Sequence, residues 1–182
     1  MSFMELAKNR QSERAFSTQE VNRKDLLKCV QAAQLAPSAC NSQPWKFVII
    51  DNPELIKQVS NAIADNPMQI NKFAASAPVL VAVVEEQATL MPGIKNHIDS
   101  NRWAKFDLGS ATEHFCLQAA ELGIGTCIMG AFNETKIKSL LKIPTDRNIF
   151  VMLAVGHPEK HAARNKSRKE LNSIYNFNQY EA

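Results

Sequence analysis

The stretch Val79-Leu80-Val81-Ala82-Val83-Val84 lies near the middle of the chain and is entirely aliphatic. β-Branched side chains favour extended backbone, and a short continuous apolar run is typical of a strand that is covered on both faces. We therefore expect a central strand here. Similar short apolar runs predict further strands over residues 46–50, 126–129 and 149–155.

Helical patterns separate these strands. Apolar residues recur at helical spacing over residues 3–9, 22–36, 54–64, 104–122 and 134–141. Asn22 is suited to cap its helix, Pro53 to open the next one, and Gly123 to follow the longest. Strands interleaved with helices predict one layered α+β domain over residues 1–182.

The segment Ser38-Ala39-Cys40-Asn41-Ser42-Gln43-Pro44-Trp45 connects a predicted helix to a predicted strand. Pro37 ends the helix, because proline has no backbone N–H for a helical hydrogen bond. Hydroxyl, amide and aromatic side chains beside free backbone amides indicate a binding loop. An ordinary connecting loop is the alternative.

Bulk properties exclude several classes of protein. The 182 residues are 45% hydrophobic and 21% charged, which is ordinary for a globular domain, and the net charge of +3 is too weak to indicate nucleic acid. No apolar run is long enough to cross a bilayer, and the N-terminus lacks a signal-peptide pattern. We therefore expect a cytoplasmic protein with neither a membrane nor a nucleic-acid partner.

The four cysteines are widely spaced, without a CxxC pair or a Cys/His cluster at metal-binding spacing. We expect no metal site and no disulfide framework. Cys29 and Cys116 lie in apolar helical patterns and are expected to be buried, whereas Cys40 lies in the polar loop and is expected to be exposed.

Known catalytic motifs are not found. Gly123-Ile124-Gly125 follows a predicted helix and precedes a strand, the reverse of the order in a dinucleotide-binding turn, and the chain has neither a GxxxxGK[ST] nor a GxSxG motif. Two basic, hydroxyl-bearing stretches remain, over residues 10–14 and 166–168. Guanidinium and ammonium groups beside a hydroxyl suit a phosphate. Two separate solvated stretches are the alternative.

The motifs occur in a recognisable order along the chain. They are Arg-x-Ser-x-Arg-x-Phe at 10–16, Pro-Ser-x-x-Asn-x-Gln-Pro-Trp at 37–45, Leu-Gly-Ile-Gly-Thr at 122–126, Val-Gly-His-Pro at 155–158 and Lys-Ser-Arg at 166–168. The set resembles the FMN-dependent nitroreductase family over nearly the whole chain, and its first two blocks are the most specific. The interval 84–103 leaves little room for the inserted helices of larger members.

The resemblance implies a nitroreductase-like α+β fold with a central mixed β-sheet flanked by helices. It also implies an intertwined homodimer in which residues 157–182 form a C-terminal arm that packs on the partner subunit. Each subunit would take part in two FMN sites at the dimer interface.

The resemblance assigns residues to this FMN site. The phosphate would be held by Arg10, Ser12, Lys166 and Arg168. The flavin pyrimidine would face Arg14, Gln69 and Lys72. The main chain near flavin N5 would come from Ile128, Met129 and Gly130. The partner subunit would line the ring and ribityl chain with Pro37, Ser38, Ala39 and Asn41. Two departures leave acceptor specificity open: many members have a serine where this chain has Ala39, and longer ones have a glutamate where it has Met129.

The implied activity is that of an FMN-dependent NAD(P)H oxidoreductase. Hydride would pass from NADH or NADPH to flavin N5 and then, in a ping-pong cycle, to a nitroaromatic, a quinone or a similar acceptor. No catalytic side chain is implied, because the flavin carries the chemistry. A reductive dehalogenase or flavin-modifying enzyme of the same fold, a flavin-binding or storage protein with little turnover, and a non-flavin domain whose basic tail binds acidic partners are the alternatives.

Overall fold

The computed structural model describes residues 1–89, Gly93, 100–160 and 163–180. Its helices are α1 (Phe3–Asn9), α2 (Arg23–Gln34), α3 (Pro53–Ala64), α4 (Ser100–Glu121) and α5 (Glu134–Leu141), and its strands are β1 (Trp45–Ile50), β2 (Val79–Glu85), β3 (Gly125–Met129) and β4 (Asn148–Gly156). Short 3₁₀ turns lie at Ala39–Asn41, Lys72–Ser76 and Leu171–Ser173. The elements predicted from the sequence are all present, and the largest difference is that α4 begins four residues earlier than expected.

Capping side chains fix the helix ends where the sequence placed them. The Asn22 side chain accepts a hydrogen bond of 2.8 Å from the Lys24 backbone N–H, and Pro53 opens α3. Gly123 has a φ of +72°, and the N–H of Ile124 donates back to the carbonyl of Ala119 at 2.8 Å. This pairing satisfies a free carbonyl at the end of α4, and the positive φ is the reason that glycine suits the position.

The four strands of the described chain pair in the order β1-β2-β4-β3, and every neighbouring pair is antiparallel. The expected mixed sheet is therefore wrong for these strands. Ile50 at the end of β1 lies opposite Leu80 at the start of β2, so the chain leaves and re-enters the sheet at the same end. The connection through α3 and the 3₁₀ turn Lys72–Ser76 returns the chain to the end of the sheet that it left. A parallel pair would instead need a connection that crosses to the opposite end.

The sheet is covered on both faces, as the aliphatic stretch in β2 predicted. Val81 and Val83 face α2 and α4, while Leu80, Ala82 and Val84 face α3 and α5. Residues 79–84 are all buried, because successive side chains of a strand point to opposite faces. The sheet is thus the buried centre of the fold, with β3 at one edge and β1, which follows the loop 37–45, at the other.

The C-terminal segment 163–180 is exposed at every position except Lys166, which is half-buried. Its large apolar residues include Leu171, Phe177 and Tyr180, which are 72%, 80% and 88% exposed. Residues 161–162 and 181–182 of the expected arm lie outside the described part, as do residues 90–92 and 94–99 of the interval in which we expected no inserted helix. Among the described residues, no helix combines the length and the apolar character that a membrane crossing requires.

The cysteines lie as the sequence predicted: Cys29 and Cys116 are buried and Cys40 is exposed. Burial raises the pKa of Cys29 and of Cys116 to about 12. Within the described ranges, no three His, Cys, Asp or Glu side chains are grouped so that they could hold a metal ion.

Candidate cofactor site

Residues 10–14 are held between α1 and the edge strand β3. The backbone N–H of Arg10 donates to Leu6 at the end of α1, and that of Glu13 donates to Thr126 of β3, each at 2.8 Å. An isolated parallel bridge joins Ser12 to Thr126. A Cβ atom on Gly125 would lie 2.5 Å from Cγ of Glu13, so the close approach of this segment requires a glycine in β3.

The two basic stretches meet in one cavity of about 260 Å³, which we call the cationic cavity. It is lined by Arg10, Gln11, Ser12, Arg14, Arg164, Asn165, Lys166 and Arg168. Five of these residues are cationic, and none of them is acidic. The expected phosphate residues Arg10, Ser12, Lys166 and Arg168 are thus brought together from opposite ends of the chain. A concentration of guanidinium and ammonium groups around a small cavity favours a multiply charged anion.

Main-chain contacts fix the C-terminal side of the cavity. The backbone N–H of Arg164 donates to Oε1 of Gln11 at 2.9 Å, and its guanidinium donates to the carbonyl of Ser12. Nζ of Lys166 donates to the carbonyl of Arg10 at 2.6 Å and to that of Lys8. Two of the three ammonium donors of Lys166 are thus used inside the protein, where they lock the tail to the end of α1.

The electrostatics of the cationic cavity favour an anion. Burial, together with the charges of Arg10, Arg168 and Arg164, lowers the pKa of Lys166. Nε of Arg10 lies 3.1 Å from Oε1 of Glu113 on α4, but it is buried without a well-directed hydrogen bond among the described residues. Buried polar atoms without a well-directed hydrogen bond are uncommon in native structures.

A second part of the site lies where Arg14 meets the turn Lys72–Ser76. The guanidinium carbon of Arg14 is 6.0 Å from the centre of the Phe73 ring. The side chain of Asn71 donates to the carbonyl of Ala131 at 3.0 Å, which ties this turn to the chain just after β3. Lys72 and Gln69 are both exposed beside it, and Gln69 has a φ of +49°. Residues expected at the pyrimidine therefore adjoin the end of β3.

The end of β3 presents main chain and one apolar side chain. Ile128 is 41% exposed and Gly130 is exposed, whereas Met129 is 2% exposed and packs in the core with Cys127 and Met152. Alternation along the strand explains this difference. Of Met129, only the backbone is therefore available to a ligand. The position where longer members are expected to have a glutamate faces the core within this chain.

The loop 37–45 is built separately from the cationic cavity, whose described lining includes none of its residues. Pro37 and Asn41 are exposed, and Ser38 and Ala39 are half-buried. The hydroxyl of Ser38 accepts from the Gln43 N–H at 3.0 Å, and the amide of Gln43 donates to the side chain of Asn41 at 3.1 Å. The backbone N–H of Ala39 donates to a carboxylate oxygen of Asp107 on α4, also at 3.0 Å.

Four residues of this region were not expected from the sequence: Gln11, Arg164, Asp107 and Glu113. Arg164 precedes Lys166 by two residues, so the density of basic residues in the tail was a usable signal. The two acidic residues sit inside a helical pattern and give no such signal. Their contacts depend on how α4 packs against distant segments.

The fold and the site together define an α+β protein with a cavity suited to a phosphate-bearing ligand. A sequence model of the Nitroreductase family matches residues 7–157, and the chain belongs to that family. A protein of Archaeoglobus fulgidus, named as a candidate NADH dehydrogenase or NAD(P)H nitroreductase, is 32% identical to it over 82% of each chain.

Two further similarities broaden the comparison. An iodotyrosine deiodinase of Thermotoga neapolitana is 22% identical, over 85% of this chain and 86% of that protein. A solved structure of a candidate nitroreductase from Exiguobacterium sibiricum, in complex with FMN, superposes with a TM-score of 0.84 over 97% of each chain at 20% identity. At this identity the superposition shows a shared fold.

Proposed function

We propose that the protein is a homodimeric, FMN-dependent NAD(P)H oxidoreductase of the nitroreductase type. The observation that carries this proposal is the cationic cavity, in which five cationic side chains and a serine hydroxyl gather without an acidic lining residue. A phosphate monoester offers several oxygen acceptors and nearly two negative charges, so it complements this cavity. The family membership and the FMN complex of the E. sibiricum protein make the flavin the most consistent ligand.

The chemistry of the residues present suits the phosphate of FMN and the pyrimidine of its ring. Arg10, Ser12 and Arg168 would hold the phosphate, with Lys166 supplying its remaining donor. Arg14 and Lys72 would stand at the pyrimidine, where positive charge stabilises a reduced and negatively charged ring. Gln69 and the backbone from Ile128 to Gly130 would complete the side facing the sheet.

When bound, FMN would supply the redox chemistry that carries electrons from NADH or NADPH to a nitroaromatic, a quinone or a similar acceptor. The protein's own side chains bind and orient the ring, and none of them is required to change its protonation state. This explains why the described site shows cations and hydroxyls rather than an acid/base pair.

Two observations support the homodimer. The loop 37–45, with Pro37, Ser38, Ala39 and Asn41, contributes no residue to the described lining of the cationic cavity of its own chain, so we assign it to the flavin bound by the partner. The C-terminal segment exposes Leu171, Phe177 and Tyr180, which is unusual for a free surface. The segment 157–182 would therefore act as an arm on the partner.

Sedimentation analysis tests the dimer. We expect a dimer for the unchanged chain and a shift toward monomer after Phe177→Asp combined with Tyr180→Asp. The matched control is Lys169→Asp, which places the same acidic side chain in the same segment but removes no large apolar surface. A flavin-loaded monomer would contradict the shared site.

Purification and anaerobic titration test the cofactor and the activity. We expect yellow protein, or protein that takes up added FMN, whose colour is bleached by NADH or NADPH and restored by a nitroaromatic or a quinone. Protein that takes up no FMN would refute the proposal. Colour that neither nicotinamide bleaches would instead favour a flavin-binding or storage role.

A second candidate is reductive dehalogenation, which the similarity to the T. neapolitana iodotyrosine deiodinase favours. The same assay separates the two candidates when the reduced protein is offered iodotyrosine beside nitroaromatic and quinone acceptors. Faster reoxidation by iodotyrosine, with release of iodide, would select the dehalogenase. Loss of the flavin absorbance during reoxidation in air would select a flavin-modifying enzyme.

A further inference from the structure

The backbone conformation of the loop 37–45 is strained, so contacts from other parts of the fold must stabilise it. Cys40, Asn41 and Gln43 have φ values of +54°, +52° and +46°, in the left-handed region that non-glycine residues seldom occupy. Strained backbone of this kind persists only where surrounding contacts determine it, and such strain clusters at binding sites. The loop therefore needs an anchor in the rigid part of the fold.

Asp107 of α4 provides a contact of this kind. Its Oδ2 accepts a hydrogen bond of 3.0 Å from the backbone N–H of Ala39, across 68 positions of sequence. The residue is 2% exposed and lies between Ala104 and Ala111, which belong to the buried face of α4. Ala39 opens the 3₁₀ turn Ala39–Asn41, so this bond fixes the point at which the backbone enters its strained part.

A carboxylate is a costly residue for this position. Taking a charged group out of water is unfavourable unless polar partners replace the lost hydration, and burial raises the pKa of Asp107 accordingly. Apart from Asp107 and Thr112, the buried residues described on α4 are apolar, Leu108 among them, and another apolar residue at position 107 would continue that packing without this cost. The hydrogen bond from the Ala39 N–H is the polar contact that accounts for a carboxylate at this position.

We propose that Asp107 is a positioning residue for the flavin. It fixes the backbone of Ala39, and through it the path of Pro37–Asn41, so that the loop presents a formed surface to the ring and ribityl chain. This inference rests on the proposed function, since it assigns the loop to the flavin. It adds that a residue of α4 without contact to the ligand sets how well the ring is held.

Substitution of Asp107 tests the inference against a matched pair of variants. Asp107→Leu introduces an apolar side chain of similar size and removes the acceptor, whereas Asp107→Asn keeps an oxygen acceptor and removes the charge. We expect Asp107→Leu to weaken the binding of FMN by about tenfold. This is the effect of losing one hydrogen bond whose contribution lies near the upper end of the usual range. Asp107→Asn should bind within about twofold of the unchanged protein.

Comparison of FMN with riboflavin separates an effect on the ring and ribityl chain from an effect on the phosphate. The loop is assigned to the ring and ribityl chain, so Asp107→Leu should weaken the binding of FMN and the binding of riboflavin by the same factor. It should also shift the visible absorbance maximum of the bound flavin while the protein remains a dimer. Amide hydrogen exchange gives a readout without any flavin: Ala39 should be protected in the unchanged protein and in Asp107→Asn, and unprotected in Asp107→Leu.

The outcomes are distinguishable. Unchanged flavin affinity or unchanged exchange in Asp107→Leu would overturn the inference and leave the proposed function intact. Equal weakening in Asp107→Asn and Asp107→Leu would also overturn it, because charge and not the hydrogen bond would then matter. Failure of the unchanged protein to take up FMN would overturn the proposed function and the flavin role of Asp107 together, whatever the exchange experiment shows.

Discussion

Replacing Arg10 by alanine should weaken the binding of FMN while leaving the binding of riboflavin nearly unchanged. Arg10 lines the cationic cavity together with Ser12, Lys166 and Arg168, all of which we assign to the phosphate. Riboflavin has the same ring and ribityl chain without the phosphate. The difference between the two ligands therefore isolates the part of the affinity that this cavity supplies.

The magnitude follows from the kind of contact that is lost. A hydrogen bond to a charged group contributes about 1.5–3 kcal/mol, which corresponds to about tenfold to 150-fold in affinity. The Arg10 side chain is 25% exposed, so solvent screens part of its charge and the lower half of this range applies. The substitution also leaves Glu113 without its ion pair, and its negative charge would then repel the phosphate. We therefore expect Glu113→Gln in the Arg10→Ala background to recover part of the loss.

Equilibrium titration followed by flavin fluorescence measures both ligands under one set of conditions. Lys169→Ala is the matched control, because it removes a cation from the same basic tail but does not line the cavity, and it should change FMN affinity by less than about twofold. Added salt should weaken the binding of FMN to the unchanged protein more than it weakens the binding of riboflavin. An equal effect of Arg10→Ala on both ligands, or none on FMN, would refute the placement of the phosphate.

Three further predictions concern the framework of the site. Gly125→Ala should lower the free energy of unfolding by about 1–3 kcal/mol in a urea titration, because the added Cβ would lie 2.5 Å from Cγ of Glu13; an unchanged midpoint would show that this segment can yield. Phe115→Ala should lower it by about 3–5 kcal/mol, since this fully buried ring stacks on Phe47 at a centroid distance of 5.6 Å, and a loss below 1 kcal/mol would contradict the packing described for α4. A thiol reagent at pH 8 should modify Cys40 rapidly and the other three thiols only after denaturation. Burial shields Cys29, Cys116 and Cys127 from the reagent and raises the pKa of each thiol. More than one rapidly modified thiol per native chain would disprove this.

The secondary structure was readable from the sequence because its signals are local. The apolar stretch in β2, the cap at Asn22 and the stop at Gly123 each depend on a few neighbouring residues, and each lies where it was predicted. Strand direction was not local. The mixed sheet implied by the family resemblance was wrong for the four described strands, and the composition of the chain between β1 and β2 does not report whether it returns to the same end of the sheet.

The candidate site was predictable only in part, for a related reason. The cationic and hydroxyl residues at both ends of the chain could be named, since residue type indicates the chemistry of phosphate binding. Which main-chain atoms Arg164 and Lys166 would contact could not be named, because that depends on how the tail crosses α1. The main chain of Met129 was expected near flavin N5, but no surroundings were predicted for its side chain, which the structure places in the core.

The cationic cavity brings like charges together, and this has a consequence for the order in which the site is assembled. Five cationic side chains repel one another until an anion neutralises them, and Lys166 is held among them by bonds to the carbonyls of Lys8 and Arg10. Three of these cationic residues, Arg164, Lys166 and Arg168, begin the segment that exposes Phe177 and Tyr180. Phosphate binding would relieve the repulsion at the base of the arm, so cofactor binding and docking of the arm on a partner should favour each other by linkage. The loop 37–45 would reach a flavin only across that interface. Its anchoring by Asp107 in each subunit would then determine how well the neighbouring subunit retains its cofactor.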